Sequence, residues 1–252
     1  MIPVLDVRGG RAVLARGGRR DTYAPVRSLL VAGAAGEGGD PIALARAYRD
    51  MLGCDEWYVA DLDALAGGAV QHALVGALAG LRGRLLVDAA VTTPERAGEL
   101  VADGAARVVV GLETLPSFDA LALVARAIGP KRVVFSLDLR DGGPLAEVPL
   151  SRTPLELARA AVTAGAGAII VLDLARVGSG RGVDSVLVEA LRRAHPDMEL
   201  LAGGGIGSAH DLERLADAGL DGALVATALH DGRIGRDDVA AVRRADHPSD
   251  SR

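Results

Sequence analysis

Short aliphatic or β-branched runs alternate with longer amphipathic segments along most of the chain. The segments 41–52, 94–103 and 154–164 have helical spacing, and each begins at a proline, which suits the first turn of a helix. A fourth such segment covers 209–218. The apolar runs predict eight β-strands, at residues 2–6, 57–61, 84–88, 107–111, 132–138, 167–173, 198–202 and 222–226. Eight alternating βα units in 252 residues predict a (β/α)₈ TIM barrel, a fold of the α/β class.

The sequence also resembles itself at about half its length. IPVLDVRGG at 2–10 lines up with VFSLDLRDG at 134–142, and the segment 84–111 lines up with 199–226 at an offset of 115. Each copy spans four βα units, so two copies complete one ring. The pattern therefore predicts a barrel made of two homologous half-barrels.

This organisation gives one domain over residues 1–246, with half-barrels at about 1–128 and 129–246 and a disordered tail at 247–252. The segment 31–40, in the long connection after the first strand, is too rich in glycine for a helix, and we expect it to move. Loops on this face of a barrel commonly close over substrate.

Composition and charge indicate in which compartment the protein works and which partners it does not bind. Half of the residues are hydrophobic, and the single cysteine, Cys54, excludes an internal disulfide framework and suits a reducing compartment. No 18-residue apolar run and no signal-peptide pattern is present, so we expect a cytoplasmic protein without a membrane partner. A net charge of −5 and few aromatic residues argue against a nucleic-acid partner. A monomer or a small homo-oligomer is expected.

Five predicted strands end in aspartate, at Asp6, Asp61, Asp88, Asp138 and Asp173. In barrels of this kind the carboxyl ends of the strands form the active-site face. Aspartate is also a good N-cap for a following helix, and for Asp61, Asp88 and Asp173 both interpretations stay open. Asp6 and Asp138 stand at equivalent points of the repeat, on opposite strands. They therefore predict a catalytic pair in which one carboxylate accepts a proton and the other donates one.

A glycine-rich loop, AGGGIGS at 202–208, follows the seventh predicted strand. Bare backbone at this point of a barrel favours a phosphate site, although a plain tight turn would use the same residues. The candidate ligands of the phosphate are Gly203, Gly204, Gly205, Gly207 and Ser208, with Ala226 and Thr227 from the end of the eighth strand. The equivalent loop of the other half reads VDAAVTT, and its acidic Asp88 disfavours a second phosphate. We therefore expect a small substrate with one strongly held phosphate.

Arginines crowd the loop after the first strand. They suggest an anion clamp, and solvated surface charge is the alternative for each of the five: Arg8, Arg16, Arg19, Arg20 and Arg27. Arg8 is the best candidate for the clamp, since it lies two residues beyond Asp6. The five histidines show no metal-ligand spacing and are expected to be surface residues, so we predict no metal site. No dinucleotide fingerprint is present, and no cofactor is expected.

The segments IPVLDVRGGRAV (2–13), LDLRDG (137–142), GGGIGS (203–208) and ALVATALHDG (223–232) resemble the histidine-biosynthesis isomerase and cyclase barrels, and most of all the ribotide isomerase branch. The resemblance runs through nearly the whole chain. It implies an Amadori rearrangement, from an aminoaldose to an aminoketose, without metal or organic cofactor. In that reaction Asp6 would be the general base and Asp138 the general acid that opens the sugar ring.

The chain departs from that pattern in several loops. Asp88, Ala89 and Ala90 replace the glycines usual after strand 3, and Leu14 replaces the lysine of the cyclase. Val177 and Gly178 stand in the place of the aspartate-glycine pair usual after strand 6, and Gly178 is a candidate substrate-binding residue. The alternatives to the histidine-pathway isomerase are a divergent paralogue with a one-phosphate substrate and a non-catalytic binder of a phosphorylated ligand. The paralogue would be an isomerase, a lyase or a condensing enzyme, with a role in the biosynthesis of a one-carbon cofactor as one option.

Overall fold

Eight parallel strands form a closed ring in the computed structural model, which describes residues 1–14, 22–31, 33, 38–146, 151–180 and 182–245. These strands follow one another around the ring in chain order, and the last pairs with the first to close it. The bounds of these strands are Ile2–Arg8 (β1), Glu56–Asp61 (β4), Arg84–Asp88 (β5), Arg107–Gly111 (β6), Val133–Arg140 (β7), Ala168–Asp173 (β9), Glu199–Gly203 (β10) and Gly222–Val225 (β11). The predicted (β/α)₈ TIM barrel is therefore confirmed.

Helices connect consecutive barrel strands and cover the outside of the ring. Their bounds are Pro41–Asp50 (α1), Leu62–Leu65 (α2), His72–Ala79 (α3), Pro94–Ala102 (α4), Phe118–Ile128 (α5), Pro154–Thr163 (α6), Ser185–Ala194 (α7), Ala209–Asp217 (α8), Thr227–His230 (α9) and Arg236–Ala245 (α10). The three predicted proline starts hold, and α6 begins with a capping box between Thr153 and Glu156.

Short antiparallel strands extend two barrel strands at the mouth, the end of the ring where the carboxyl ends of the strands lie. After β1 come β2 (Arg11–Leu14) and β3 (Ala24–Pro25), and after β7 comes β8 (Gly143–Pro144). The sequence analysis did not predict these hairpins. Strands β1 and β7 stand opposite each other in the ring, since three strands separate them on either side. The two homologous half-barrels stay a prediction.

Apolar side chains fill the space inside the ring and the layer between strands and helices. Inside, alternate residues of neighbouring strands stack, among them Leu86, Val109 and Val134. At the end opposite the mouth, Arg107 points into the ring and pairs with Glu56 and Glu199, each at 2.7 Å. The floor of the barrel is thus closed by packing and by an ion-pair network, which leaves the mouth as the open end.

Within the described part of the chain, no helix is long and apolar enough to cross a membrane. The predicted tail at 247–252 lies outside the described residues, as does much of the segment 31–40.

Candidate active site

A cavity opens at the mouth of the barrel, and all eight barrel strands contribute to its lining. We call it the mouth cavity; its volume is about 110 Å³. Most of the residues predicted for the site line it: Asp6, Asp138, Gly178, Gly203, Gly204, Gly205, Ala226 and Thr227. Gly207, Ser208 and Arg8 are described but do not line it. Among the described residues of its lining, those with a carboxylate are Asp6, Asp88, Asp138 and Glu113.

Asp138 lies at the mouth end of β7 with 5% of its surface exposed. The Ser136 hydroxyl donates to its Oδ1 at 2.6 Å, and the backbone N–H of Glu113 donates to its Oδ2 at 3.0 Å. Burial raises the pKa of Asp138 to about 7, although both hydrogen bonds favour the charged form and oppose the rise. At neutral pH this carboxyl is therefore partly protonated and can donate a proton as well as accept one.

Gly111, the last residue of β6, has no side chain, and the carboxylate of Asp138 occupies the space beside it. A Cβ atom at this position would lie only 2.9 Å from Oδ2 of Asp138. An alanine there would force the carboxylate to move, so the glycine is part of the geometry that holds Asp138 in place.

Asp6 lies on β1, on the same inward-facing side of the strand as Val4, and is only partly buried. Because β1 and β7 stand opposite each other, Asp6 and Asp138 face one cavity from its two sides. This is the arrangement expected of a base and an acid that act on one substrate between them.

The carboxylates of Asp61 and Asp173 accept hydrogen bonds from backbone N–H groups, and neither residue lines the cavity. Asp61 caps α2 and also accepts hydrogen bonds from the backbone and the side chain of Gln71. Asp173 accepts from the backbone N–H groups of Asp141 and Gly142, which lie in the turn after β7, and from Ala175. Both side chains thus fix loops that frame the mouth, and the N-cap interpretation holds for these two.

Asp88, in contrast, lines the mouth cavity at the end of β5. The hydroxyl of Tyr58, a buried residue of β4, donates to its Oδ2 at 2.9 Å. Burial, followed by the charges of Asp88 and Asp138, holds the pKa of Tyr58 well above its usual value. The phenol therefore keeps its proton and acts as a donor to Asp88.

The glycine-rich loop presents bare backbone to the cavity at Gly203, Gly204 and Gly205. Gly204 and Gly205 have φ values of 106° and 76°, in the left-handed region, and a Cβ on Gly204 would lie 2.8 Å from a backbone carbonyl oxygen. The turn itself therefore requires glycine. The same requirement leaves the cavity side of the loop without side chains, as an anion site needs.

Gly207 and Ser208 serve the helix that follows this loop. The Gly207 N–H and the Ser208 hydroxyl donate to the carboxylate of Asp211, and Ser208 caps α8 by accepting from the Asp211 N–H. These polar groups are thus engaged with the helix, although both residues were predicted as phosphate ligands.

Arg233 is a residue that the sequence analysis missed. It carries the one positive side chain among the described residues that line the cavity. Its guanidinium is held by the carboxylate of Asp231 at 2.9 Å, and its Nη1 donates to the carbonyl of Gly207 at 3.3 Å. Arg233 therefore lies directly against the glycine-rich loop. Nothing in its sequence context distinguishes it from the other arginines of the chain.

The arginines predicted as an anion clamp are placed differently. Arg8 is partly buried at the end of β1, and Arg27 is exposed. Arg16, Arg19 and Arg20 lie outside the described residues. Tyr23, from the same loop, lines the cavity.

The expectation that all the histidines lie at the surface is wrong for His230. This residue, in α9, is 4% exposed and has polar partners at both ring nitrogens: the Tyr48 hydroxyl at 3.3 Å and the Ser28 hydroxyl at 3.1 Å. Burial lowers the pKa of His230 to about 4, so the ring is neutral. Its backbone carbonyl also accepts from the N–H of Leu29, so His230 fixes the loop after β3 to α9.

Comparison with known proteins places the chain in a family. Residues 1–235 match the model of the family described as histidine biosynthesis protein. A 1-(5-phosphoribosyl)-5-((5-phosphoribosylamino)methylideneamino)imidazole-4-carboxamide isomerase of Thermus thermophilus is 31% identical, over 93% of this chain and 95% of its own length. The protein of the same name from Methanothrix thermoacetophila is 29% identical, over 93% of each chain.

An uncharacterized protein of Methanocaldococcus jannaschii is 28% identical, over 95% of this chain and 96% of its own. The similarities thus cover nearly the full length of these three relatives, and they extend beyond the named isomerases. The chain belongs to the histidine biosynthesis protein family and is an isomerase of that family.

Proposed function

We propose that this isomerase interconverts the aldose and ketose forms of a phosphorylated sugar derivative, with Asp6 and Asp138 as its acid–base pair. The observation that carries the proposal is the position of the two carboxyls on opposite sides of one cavity. The pKa of about 7 at Asp138 supports its role as the acid, because a general acid must hold a proton near the working pH.

The proposed reaction is an Amadori rearrangement. Asp138 gives its proton to the ring oxygen of an aminoaldose, the bond between that oxygen and C1 breaks as the nitrogen lone pair forms a C=N bond, and an open-chain protonated imine results. Asp6 then removes the proton from C2, the electron pair of that C–H bond forms a C1=C2 double bond, and the C=N π pair moves to the nitrogen, which gives an enaminol. Return of the proton from Asp6 to C1 and transfer of the C2 hydroxyl proton to Asp138 complete the aminoketose and restore both carboxyls. Atoms and electrons balance within the substrate, so the step needs no added oxidant or reductant.

We place the phosphate of the substrate at the loop Gly203–Gly205, beside Thr227 and Arg233. The loop supplies backbone without side chains, and the arginine supplies a positive charge to the anion. Tyr23, from the loop after β1, would border the substrate on the same face of the barrel.

The second candidate is a paralogue whose substrate has one phosphate. The name of the Thermus thermophilus isomerase contains two phosphoribosyl groups. In this chain, however, the loop opposite Gly203 presents the Asp88 carboxylate to the cavity. A carboxylate repels a phosphate, and this observation favours a substrate with a different group at that end.

Complementation separates the two candidates. We would express the chain in a strain that lacks the histidine-pathway isomerase and score growth without histidine, with the Asp6→Asn variant as a negative control. Growth with the wild-type chain alone would establish the histidine-pathway reaction. Failure of a well-expressed, folded chain to restore growth would favour the one-phosphate paralogue. The cytoplasmic location and the state as a monomer or small homo-oligomer stay predictions.

A further inference from the structure

The two loops that face each other across the mouth cavity offer opposite chemistry to a ligand. Strands β5 and β10 stand opposite in the ring, and Asp88 and Gly203 occupy corresponding positions at their ends, at the offset of 115 residues. On one side lie bare backbone and Arg233; on the other lies a buried carboxylate. A ligand that fills the cavity must match both.

The loop after β5 has lost the features of an anion site. Residues 89–93, all within the described part of the chain, do not line the mouth cavity. Nη1 of Arg96, behind the loop, donates to the carbonyls of Ala89 and Ala90 at 3.4 and 3.0 Å. The Thr93 hydroxyl accepts from the Arg96 N–H as the N-cap of α4. Of the described residues 88–93, Asp88 is therefore the one that a ligand in the cavity would meet.

The surroundings of Asp88 favour a positively charged partner. The carboxylate is 7% exposed and receives the Tyr58 hydroxyl on one oxygen, so it is fixed as an acceptor on the cavity wall. The carboxyls of Asp6 and Asp138 line the same cavity, whereas the one described cation of the lining, Arg233, lies against the loop on the far side. Electrostatic attraction in this poorly solvated end is strong for a cation, and repulsion is equally strong for a second phosphate.

We propose that the substrate is asymmetric: a phosphate bound at Gly203–Gly205 and a cationic nitrogen group, an amine or amidine, bound by Asp88. This inference rests on the proposed function for the phosphate end and deepens it by naming the class of the substrate. Asp88 is then the residue that selects an amino-bearing monophosphate and rejects a bisphosphate.

Simple probes test the two ends separately. Calorimetry would compare, at equal chain length, alkyl phosphates, ω-aminoalkyl phosphates and alkane bisphosphates over a graded series of lengths. The best aminoalkyl phosphate should bind at least tenfold more tightly than its alkyl counterpart, since a charge-assisted hydrogen bond is added, and the bisphosphate should bind more weakly than either. Asp88→Asn should remove the preference for the amine and leave the affinity for the alkyl phosphate unchanged.

Matched variants assign the effect to Asp88. Tyr58→Phe keeps the carboxylate and should retain the preference, and so should Asp138→Asn, which removes another carboxyl of the same cavity. Equal binding of alkyl and aminoalkyl phosphates to the wild type would overturn the inference, and so would a preference lost in Asp138→Asn but kept in Asp88→Asn. Tighter binding of a bisphosphate would overturn it as well. Absence of binding by all three classes would instead refute the phosphate site of the proposed function.

Discussion

Removal of the Ser136 hydroxyl should raise the pH at which the enzyme loses activity. Ser136 lies inside the barrel with no exposed surface and donates to Asp138 at 2.6 Å. This hydrogen bond stabilises the charged carboxylate and so holds the pKa of Asp138 below the value that burial alone would give. In Ser136→Ala the N–H of Glu113 remains as a donor, while one charge-assisted bond is lost.

The size of the shift follows from the strength of that bond. A hydrogen bond to a charged group contributes about 1.5–3 kcal/mol, and one pKa unit corresponds to about 1.4 kcal/mol. The pKa of Asp138 should therefore rise from about 7 by roughly one to two units. Because the proposed acid is active when protonated, the alkaline limb of the kcat/KM profile should move up by the same amount.

The assay is the pH dependence of kcat/KM for the wild type and Ser136→Ala, with Ser208→Ala as a control serine whose hydroxyl caps α8. The control should leave the alkaline limb in place. An unchanged alkaline limb in Ser136→Ala would refute the assignment of that limb to Asp138. A shift to lower pH would contradict the reasoning about the hydrogen bond.

Three further predictions concern stability, each measured by urea unfolding. The folded-state pKa of Asp138 is raised from 3.8 to about 7, so the wild type loses stability as pH rises between these values. Asp138→Asn should therefore be more stable than the wild type at pH 8, by up to about 4 kcal/mol, and the difference should vanish near pH 4. Burial lowers the pKa of His230 from 6.5 to about 4, so its contribution to the free energy of unfolding is present above pH 6.5 and lost as pH falls towards 4. His230→Gln lacks this titration and should therefore escape a loss of about 3 kcal/mol in acid. The same dependence of stability on acid pH in the wild type and the variant would contradict this. Arg107→Met leaves Glu56 and Glu199 without their common partner and should cost about 3 kcal/mol, most of which Glu56→Gln and Glu199→Gln together should restore.

The sequence predicts the barrel well because the periodicity of apolar residues is a local signal. Each of the eight predicted strands overlaps a barrel strand, and the prolines at 41, 94 and 154 mark true helix starts. The hairpins formed by β2, β3 and β8 were missed, since strands of two to four residues carry too short a pattern to detect.

The roles of the aspartates show where local pattern stops being sufficient. Asp61, Asp88 and Asp173 all end a strand, so their sequence context is the same. Hydrogen bonds from Gln71, ten residues beyond Asp61, and from Gly142, 31 residues before Asp173, show that these two aspartates fix the backbone, whereas Asp88 reaches the cavity. Such tertiary contacts leave no signal in a single sequence.

His230 and Arg233 illustrate the same limit in the segment that follows β11. The two residues are three positions apart, yet His230 is buried and neutral whereas Arg233 lines the cavity. Their surroundings come from Tyr48, Ser28 and Gly207, far away along the chain. Neither residue was a candidate in the sequence analysis, because the role of each is decided by these contacts.

The acid–base pair is tested most directly by kcat/KM for Asp6→Asn, Asp138→Asn and the double variant, measured with the substrate that complementation identifies. General acid–base catalysis by a positioned group contributes about 10²–10⁴-fold, so each single variant should fall by at least a hundredfold. Since the two groups act on one substrate, the double variant should be little slower than the slower single variant. Single variants that both stay within about tenfold of the wild type, under ~1.4 kcal/mol in the barrier, would contradict the account.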